Sequence, residues 1–311
     1  MASCPITLNP APKGKLYSEV GLKMIHPRLA GLHELEYSAE EQIRQARMRA
    51  DKMSIQGVQP KLSAFLRIRK QSFELVDRGG KFILKPNPPT YEEVPANEAL
   101  TMRMAAVAGI EVPAHGLLRA VDDSWVYFIK RYDRVGRSER IPVEDFSQLL
   151  GANRETKYDS SLEKVAELIE RFCTFPAIEK PKLAQRLLFC FLTGNEDMHL
   201  KNFSLWHREG VVSLTPAYDL LNSTLVLGEA KEESALPLNG KKKNLTRKLW
   251  LNYFCRERLK LNENQIEAIL SGLSRALPEW RQLIDRSYLS DAAKDGYKAI
   301  FEERIARLKL S

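Results

Sequence analysis

In the stretch LTGNEDMHLKNFSL, Leu192 to Leu205, acidic, basic and amide side chains sit between two apolar segments. Asp197 and Asn202 stand there in a D-x-x-x-x-N arrangement. A carboxylate at that position can take the proton of an attacking hydroxyl. An amide oxygen five residues on can help hold a metal ion against phosphates. Mg²⁺ prefers one or two carboxylates together with phosphate oxygens. A second acidic residue, Asp219, follows in SLTPAYDLLNS just after an expected strand. Upstream, KFILKP ends an apolar strand on Lys85, a cation placed to pair with phosphates. Glu98 shares a helical face with Met102, Ala105 and Gly109. A carboxylate on an apolar stripe needs a cationic partner, and Lys85 is the nearest in order; otherwise Glu98 is a solvated residue at the stripe's edge. Together these residues describe phosphoryl transfer. Taken singly, the Asp and Asn are also ordinary turn formers.

Further residues fit the same chemistry. SIQGVQPKLS, Ser54 to Ser63, precedes the lysine strand as a phosphate-covering loop would, with Gly57 as its one glycine. It matches neither G-x-G-x-x-G nor G-x-x-x-x-G-K-[ST]. In VYFIKRYDR, the backbone near Lys130, Arg131 and Tyr132 is placed to hydrogen-bond an adenine edge, and Tyr132 to wall the pocket or to serve as a structural aromatic. His199 reaches either a transferring phosphoryl group or its own loop. Lys201 neutralises phosphate or faces solvent. Loop, Lys, Glu, hinge, Asp-Asn and Asp occur in the order that protein kinases use.

These residues need a scaffold. SAEEQIRQARMRADKM reads as a helix with Ser38 at its N-cap and Glu40 and Glu41 in the first turn. SIQGVQPKLSAFLRI, SFELVD and KFILKP read as short strands of an antiparallel meander. YEEVPANEALTMRMAAVAGI reads as a helix ending at Gly109. HGLLRAV and SWVYFIKRY read as two strands joined at Asp122-Asp123. Beyond Asp133, SSLEKVAELIERFC and KPKLAQRLLFCFLTG read as helices, NFSLWHREGVVSLTP as a hairpin, and the last third as helical. The expected fold class is α+β and two-lobed. Residues 1–130 form a β-rich lobe with one key helix, the phosphate loop, the strand lysine and the hinge. Residues 131–311 form a mostly helical lobe with the catalytic and metal-binding loops.

Composition is that of an ordinary globular chain, with 44% hydrophobic and 28% charged residues in 311. No apolar run reaches the ~18 residues of a membrane span, and MASCPITLNPAPKGKL lacks a signal-peptide core. Cys4, Cys173, Cys190 and Cys255 form no C-x-x-C pair, so reduced thiols, no zinc and a cytoplasmic location are expected. The net charge of +8 fits nucleic acid, an acidic partner or phosphate-bearing ligands. Its one dense cluster, GKKKNLTRK from Gly240 to Lys248, lacks interleaved aromatics and reads as a solvated loop. No recognition-helix motif is evident, so direct DNA binding is not expected.

The wording of SIQGVQPKLS, FILKP, ANEALTMRMAAVAGI, FIKRYDR, TGNEDMHLKNFSL and LTPAYDLLNS resembles the HipA family of bacterial toxin kinases, from about Ser54 to about Leu225. The resemblance implies a two-lobed Ser/Thr protein kinase using ATP and Mg²⁺. It implies Asp197 as catalytic base, Asn202 and Asp219 as metal ligands, and Lys85 as phosphate-binding lysine. It implies nucleotide contacts at Gln56, Gly57, Val58, Gln59 and Lys61, at Lys130, Arg131 and Tyr132, at His199, Lys201 and Asn202, and at Tyr218 beside Asp219. Ser54 matches the family's autophosphorylated serine; Gln56 stands where some short relatives carry another. Roughly fifty residues precede Ser54, fewer than the family's extra N-terminal subdomain. That pattern resembles the short toxin of three-component systems. It implies a small protein resembling the missing subdomain and a DNA-binding antitoxin as partners, and as substrate a translation component such as an aminoacyl-tRNA synthetase. A small-molecule phosphotransferase of the aminoglycoside-kinase type shares the D-x-x-x-x-N logic and is the alternative.

Overall fold

The computed structural model describes residues 3–49, 59–136, 139–151, 157–228 and 232–310. Two helices come first, α1 (Glu19–Ile25) and α2 (Ala39–Arg49). Ser38 caps α2 by accepting from the Glu41 amide at 3.3 Å. Three strands follow, β1 (Leu62–Arg67), β2 (Ser72–Leu75) and β3 (Phe82–Lys85). Helix α3 (Val94–Val107) leads to β4 (His115–Arg119) and β5 (Trp125–Lys130). All five strands form one sheet in the order β2-β1-β3-β5-β4, each neighbour antiparallel.

That order departs from the expected meander, since β1 rather than β2 lies beside β3. The β2–β3 connection must therefore return across β1. Gly80 permits it: a Cβ there would lie 2.7 Å from the Ala64 amide nitrogen. Helix α3 stops on schedule. Gly109 takes φ +78°, its amide bonds Ala106 O, and the Ile110 amide bonds Ala105 O, which closes a Schellman turn.

Past the hinge come the short ribbon β6 (Arg134–Val135) and β7 (Glu139–Arg140), then β8 (Val143–Asp145) and α4 (Phe146–Leu149). Helices α5 (Leu162–Phe172) and α6 (Pro176–Leu192) precede the loop with Asp197. The expected hairpin is β9 (Ser204–Arg208) with β10 (Val211–Leu214), and β8 pairs on the outside of β9. After α7 (Ser223–Leu227), a π-helical segment, Leu249–Arg258, and the long helices α8 (Glu263–Arg286) and α9 (Asp291–Leu308) complete the fold. Neither α1 nor the π-helix was expected from sequence.

Two apolar cores hold these elements. The first lies on the outer face of the sheet. Cys4, Ile6, Leu22, Ile25, Leu29 and Leu35 cover Leu62, Ala64, Phe73, Phe82, Leu84 and Phe128 there. Each large side chain so buried contributes about 1.5–3 kcal/mol. The second core runs without a break from α3 and the inner residues of β4 and β5 into α5, α6, α8 and α9. Helix α3 is buried on nearly every side, including Asn97, Glu98 and Thr101. The four cysteines are buried and unpaired. Among the described residues no helix is long and apolar enough to cross a membrane.

The turn out of α6 depends on one glycine. Gly194 has φ +65°, and an added Cβ would meet Asn222 Oδ1 at 2.8 Å and Ile300 Cγ2 at 2.9 Å. Its carbonyl also accepts from the Thr224 amide and hydroxyl, both at 3.1 Å. Gly194→Ala is expected to lose about 2–4 kcal/mol through backbone strain and overpacking. The measurement is the urea midpoint, with the slope unchanged; an unmoved midpoint would refute the account.

Candidate active site

The site is built around a buried lysine. Lys85 closes β3 and is 2% exposed. Its register partner on β5 is Tyr127, whose ring lies 5.4 Å from the ammonium. Lys85 Nζ donates to Glu98 Oε1 at 2.5 Å and also to Asp219 Oδ1. Lys61 Nζ stands 4.0 Å from the other Asp219 oxygen. Sheet, helix α3 and the segment after β10 therefore meet on one ammonium.

Asp219 adopts φ +54°, a left-handed backbone that Asp tolerates better than most non-glycine residues. Tyr218 before it is anchored by donating to Lys201 O at 3.0 Å and by its contact with Ser204 Oγ. The hinge residue Tyr132 stacks on Tyr218, centroids 5.8 Å apart, and meets Trp206 edge-on at 5.9 Å. Asn97, next to Glu98, trades two hydrogen bonds with the backbone of Asn222: its amide donates to Asn222 O at 2.9 Å and its Oδ1 accepts from Asn222 N at 2.8 Å.

The Asp197 loop is closed by its own side chains. The Asp197 amide donates to Asn195 Oδ1 at 3.1 Å, and Asn202 Nδ2 donates to Asp197 O at 2.7 Å. That bond fixes the Asn202 amide and turns its Oδ1 elsewhere. His199 is buried, and its Nε2 lies 2.8 Å from Lys157 Nζ. An ammonium only donates, so Nε2 accepts and the ring proton sits on Nδ1. Nδ1 is buried and has no partner among the described residues. Burial holds His199 below its ordinary pKa; the Asp197 carboxylate opposes this and the Lys157 charge adds to it. Asp219 also bears on this ring electrostatically, opposing the effect of burial.

The hinge narrows one expectation. The Lys130 amide already donates to Ala114 O and the Arg131 amide to Lys81 O, both at 2.8 Å, so neither N–H is free for an adenine edge. The Arg131 side chain is paired with Asp133. Lys61 borders the site, whereas Ser54, Gln56, Gly57 and Val58 lie outside the described residues. Among the described residues, no group of three or more His, Cys, Asp or Glu side chains could hold a metal ion. Asn202 and Asp219 supply hard oxygens only, and such a pair holds a cation together with oxygens of a bound ligand.

Lys157 and Tyr158 were not expected at the site. The Tyr158 hydroxyl donates to Asp197 Oδ1 at 2.9 Å. Nothing in the sequence KYDSS marks it, because only the packing of the chain before α5 brings it there.

The model for the HipA-like C-terminal domain matches residues 53–280. The chain belongs to that family. The match includes Lys61, Lys85, Glu98, Asp197, Asn202 and Asp219. A putative kinase of Haemophilus influenzae is 30% identical over 240 residues, which is 71% of this chain and 68% of that protein. The serine/threonine-protein kinase toxin HipA of Shewanella oneidensis is 28% identical over 196 residues, 55% of this chain but only 43% of the toxin. In solved structures, the HipA of Shewanella oneidensis MR-1, in complex with HipB and operator DNA, superposes with a TM-score of 0.68 at 23% identity. That match covers 98% of this chain and 78% of the other. The architecture is thus the two-lobed α+β fold of the HipA-like kinases.

The buried charges give opposite pH signatures. For Asp219, burial alone would raise the pKa, but the Lys85 and Lys61 charges outweigh it and hold the carboxyl well below the usual range. Its stabilisation is present above the ordinary carboxylate pKa and is lost in acid. Glu98 is pushed up to about 7, chiefly by burial and against the pull of Lys85. Its contribution is full below the ordinary value and is lost as pH rises through about 7. Removing the ammonium raises both carboxyls. Lys85→Met is expected to lose about 3–5 kcal/mol at neutral pH, with a larger deficit at about pH 8 than at about pH 5.5. Urea unfolding at the two pH values measures this; equal deficits would mean that Lys85 acts by packing alone.

Proposed function

We propose that this chain is an ATP-dependent serine/threonine protein kinase that acts as a toxin within a bacterial toxin–antitoxin system. The observation that carries the reading is Lys85, bound at once to Glu98 of α3 and to Asp219. In protein kinases the strand lysine pairs with a Glu of the following helix and with the nucleotide phosphates, and Lys85 has that Glu and the candidate metal-binding Asp beside it. Asp197 then has the role of base, taking the acceptor hydroxyl's proton. Asn202 and Asp219 would hold Mg²⁺, which supplies charge neutralisation to the nucleotide phosphates. Lys85, oriented by Glu98, and Lys61 bind phosphate oxygens. His199, neutral and beside Asp197, completes this face of the site. Tyr132, stacked on Tyr218, walls the adenine side.

The division between lobes at Lys130 and Arg131 belongs to this proposal, as do nucleotide contacts from Gln56, Gly57, Val58, Gln59 and Lys201. So does autophosphorylation at Ser54, which would add about −1.5 to −2 charges beside the phosphate loop. A translation component, such as an aminoacyl-tRNA synthetase, is the substrate class we propose. The partners are a DNA-binding antitoxin and a small protein resembling the family's N-terminal subdomain. The HipB in the Shewanella complex supports the first of these; family resemblance supports the others.

Asp197→Asn is expected to keep nucleotide binding and to lose phosphotransfer by about 10²–10⁴-fold, the usual contribution of a general base. Radiolabel transfer from γ-labelled ATP into cell lysate, paired with nucleotide-binding calorimetry, tests both halves. Undiminished transfer by this variant would reject the assignment.

A further inference from the structure

The carboxylate assigned as base is already in contact with a hydroxyl. Tyr158 Oη donates to Asp197 Oδ1 at 2.9 Å, within the distance at which a base takes a proton. Among the described residues it is the one hydroxyl that does so. Burial, and then the Asp197 charge, hold the phenol above its ordinary pKa, so it remains a donor.

The contact has two readings. In one, the phenol is a strut that orients the carboxylate. The loop, however, is fixed without it: the Asp197 amide is bonded to Asn195 and its carbonyl to Asn202. In the other, the phenol occupies the place of an acceptor hydroxyl. Its exposure favours this. Tyr158 is 41% exposed and the Asp197 side chain 49%, so the pair sits at the mouth of the cleft where a protein acceptor would enter. The ring is held by an edge contact with His199 at 5.2 Å and lies under Lys157 Nζ at 4.7 Å. These contacts fix the ring but not the O–H.

We propose that the Tyr158 hydroxyl occupies the acceptor subsite on Asp197 and that a substrate serine or threonine must displace it. The inference rests on the kinase reading above. On entry, the substrate hydroxyl replaces the phenol on Oδ1. Its proton passes to Asp197 as its oxygen bonds the γ-phosphorus, and the bond from that phosphorus to the departing ADP oxygen breaks. Tyr158 thereby raises the acceptor concentration needed and competes with water for Oδ1.

The test uses the full chain with myelin basic protein as generic acceptor, and water as the acceptor when no protein is added. Tyr158→Phe keeps the ring on His199 and removes only the hydroxyl. The KM for myelin basic protein should fall about three- to tenfold, more than kcat changes, and acceptor-free ATP hydrolysis should rise by a similar factor. Tyr158→Ala should move KM in the same direction. A fall in kcat at constant KM would establish the strut and overturn the proposal. So would unchanged kinetics, or phosphate found on Tyr158 by mass spectrometry, which would make it a substrate. A wild-type chain that turns over no ATP removes the kinase reading itself; wild-type turnover matched by Tyr158→Phe removes only this inference.

Discussion

An ammonium sealed from water organises this protein. Moving an ion into a protein interior is costly, and an attraction in low dielectric offsets that only with good geometry and full pairing. Lys85 meets both conditions by drawing in Glu98 and Asp219. Its partners come from chain segments far apart in sequence, so the pairing is a constraint on tertiary structure. If α3 slid by a turn, Glu98 would leave the lysine. If the segment after β10 shifted, Asp219 would. The three side chains form a gauge of whether sheet, helix and catalytic loops stand in register.

What keeps them in register is the position of α3. A helix exposed on one face would be free to swing on the sheet. This one is enclosed, because its residues belong to the same apolar core as α6, α8 and α9. Polar contacts pin it at three heights. Asn97 bonds Asn222, Thr101 Oγ1 lies 2.9 Å from Tyr297 Oη, and Trp280 Nε1 donates to Met104 O at 2.7 Å. The sheet's other face is covered by the first residues of the chain. The strand lysine is thus held from both sides, and a change in α3's packing would register first as a change at Lys85.

Much of this was legible in sequence where a local rule governs. Ser38 caps α2, Gly109 ends α3, and Asp123 turns β4 into β5 with φ +65°. The Lys85–Glu98 pairing was legible for a different reason: a carboxylate on a buried stripe has few possible partners. Other features have no local signature. The place of β1 between β2 and β3 depends on Gly80 fitting against a strand it does not adjoin in sequence. The segment Leu249–Arg258 is wound as a π-helix, in which Trp250, Leu251, Phe254 and Cys255 turn inward. Its residues carry no mark of that winding, and tertiary packing selects it. The hinge showed the opposite limit. Its strand was legible, but the amides of Lys130 and Arg131 are taken by Ala114 and Lys81, partners that only the folded sheet supplies.

The charge state of His199 shows how the unforeseen residues complete the foreseen ones. A histidine two residues from one carboxylate and facing another would ordinarily gain a proton. Burial prevents that, and Lys157 reinforces it by placing an ammonium on Nε2. The ring is therefore neutral, with its single proton on Nδ1. A cation there would compete with Lys85 and Lys61 for Asp219 and pull Asp197 away from an acceptor. A neutral donor does neither. It leaves both carboxylates to their own partners. The loop's own residues provide the acid–base groups, and Lys157, from the segment before α5, adds to the burial that keeps His199 neutral.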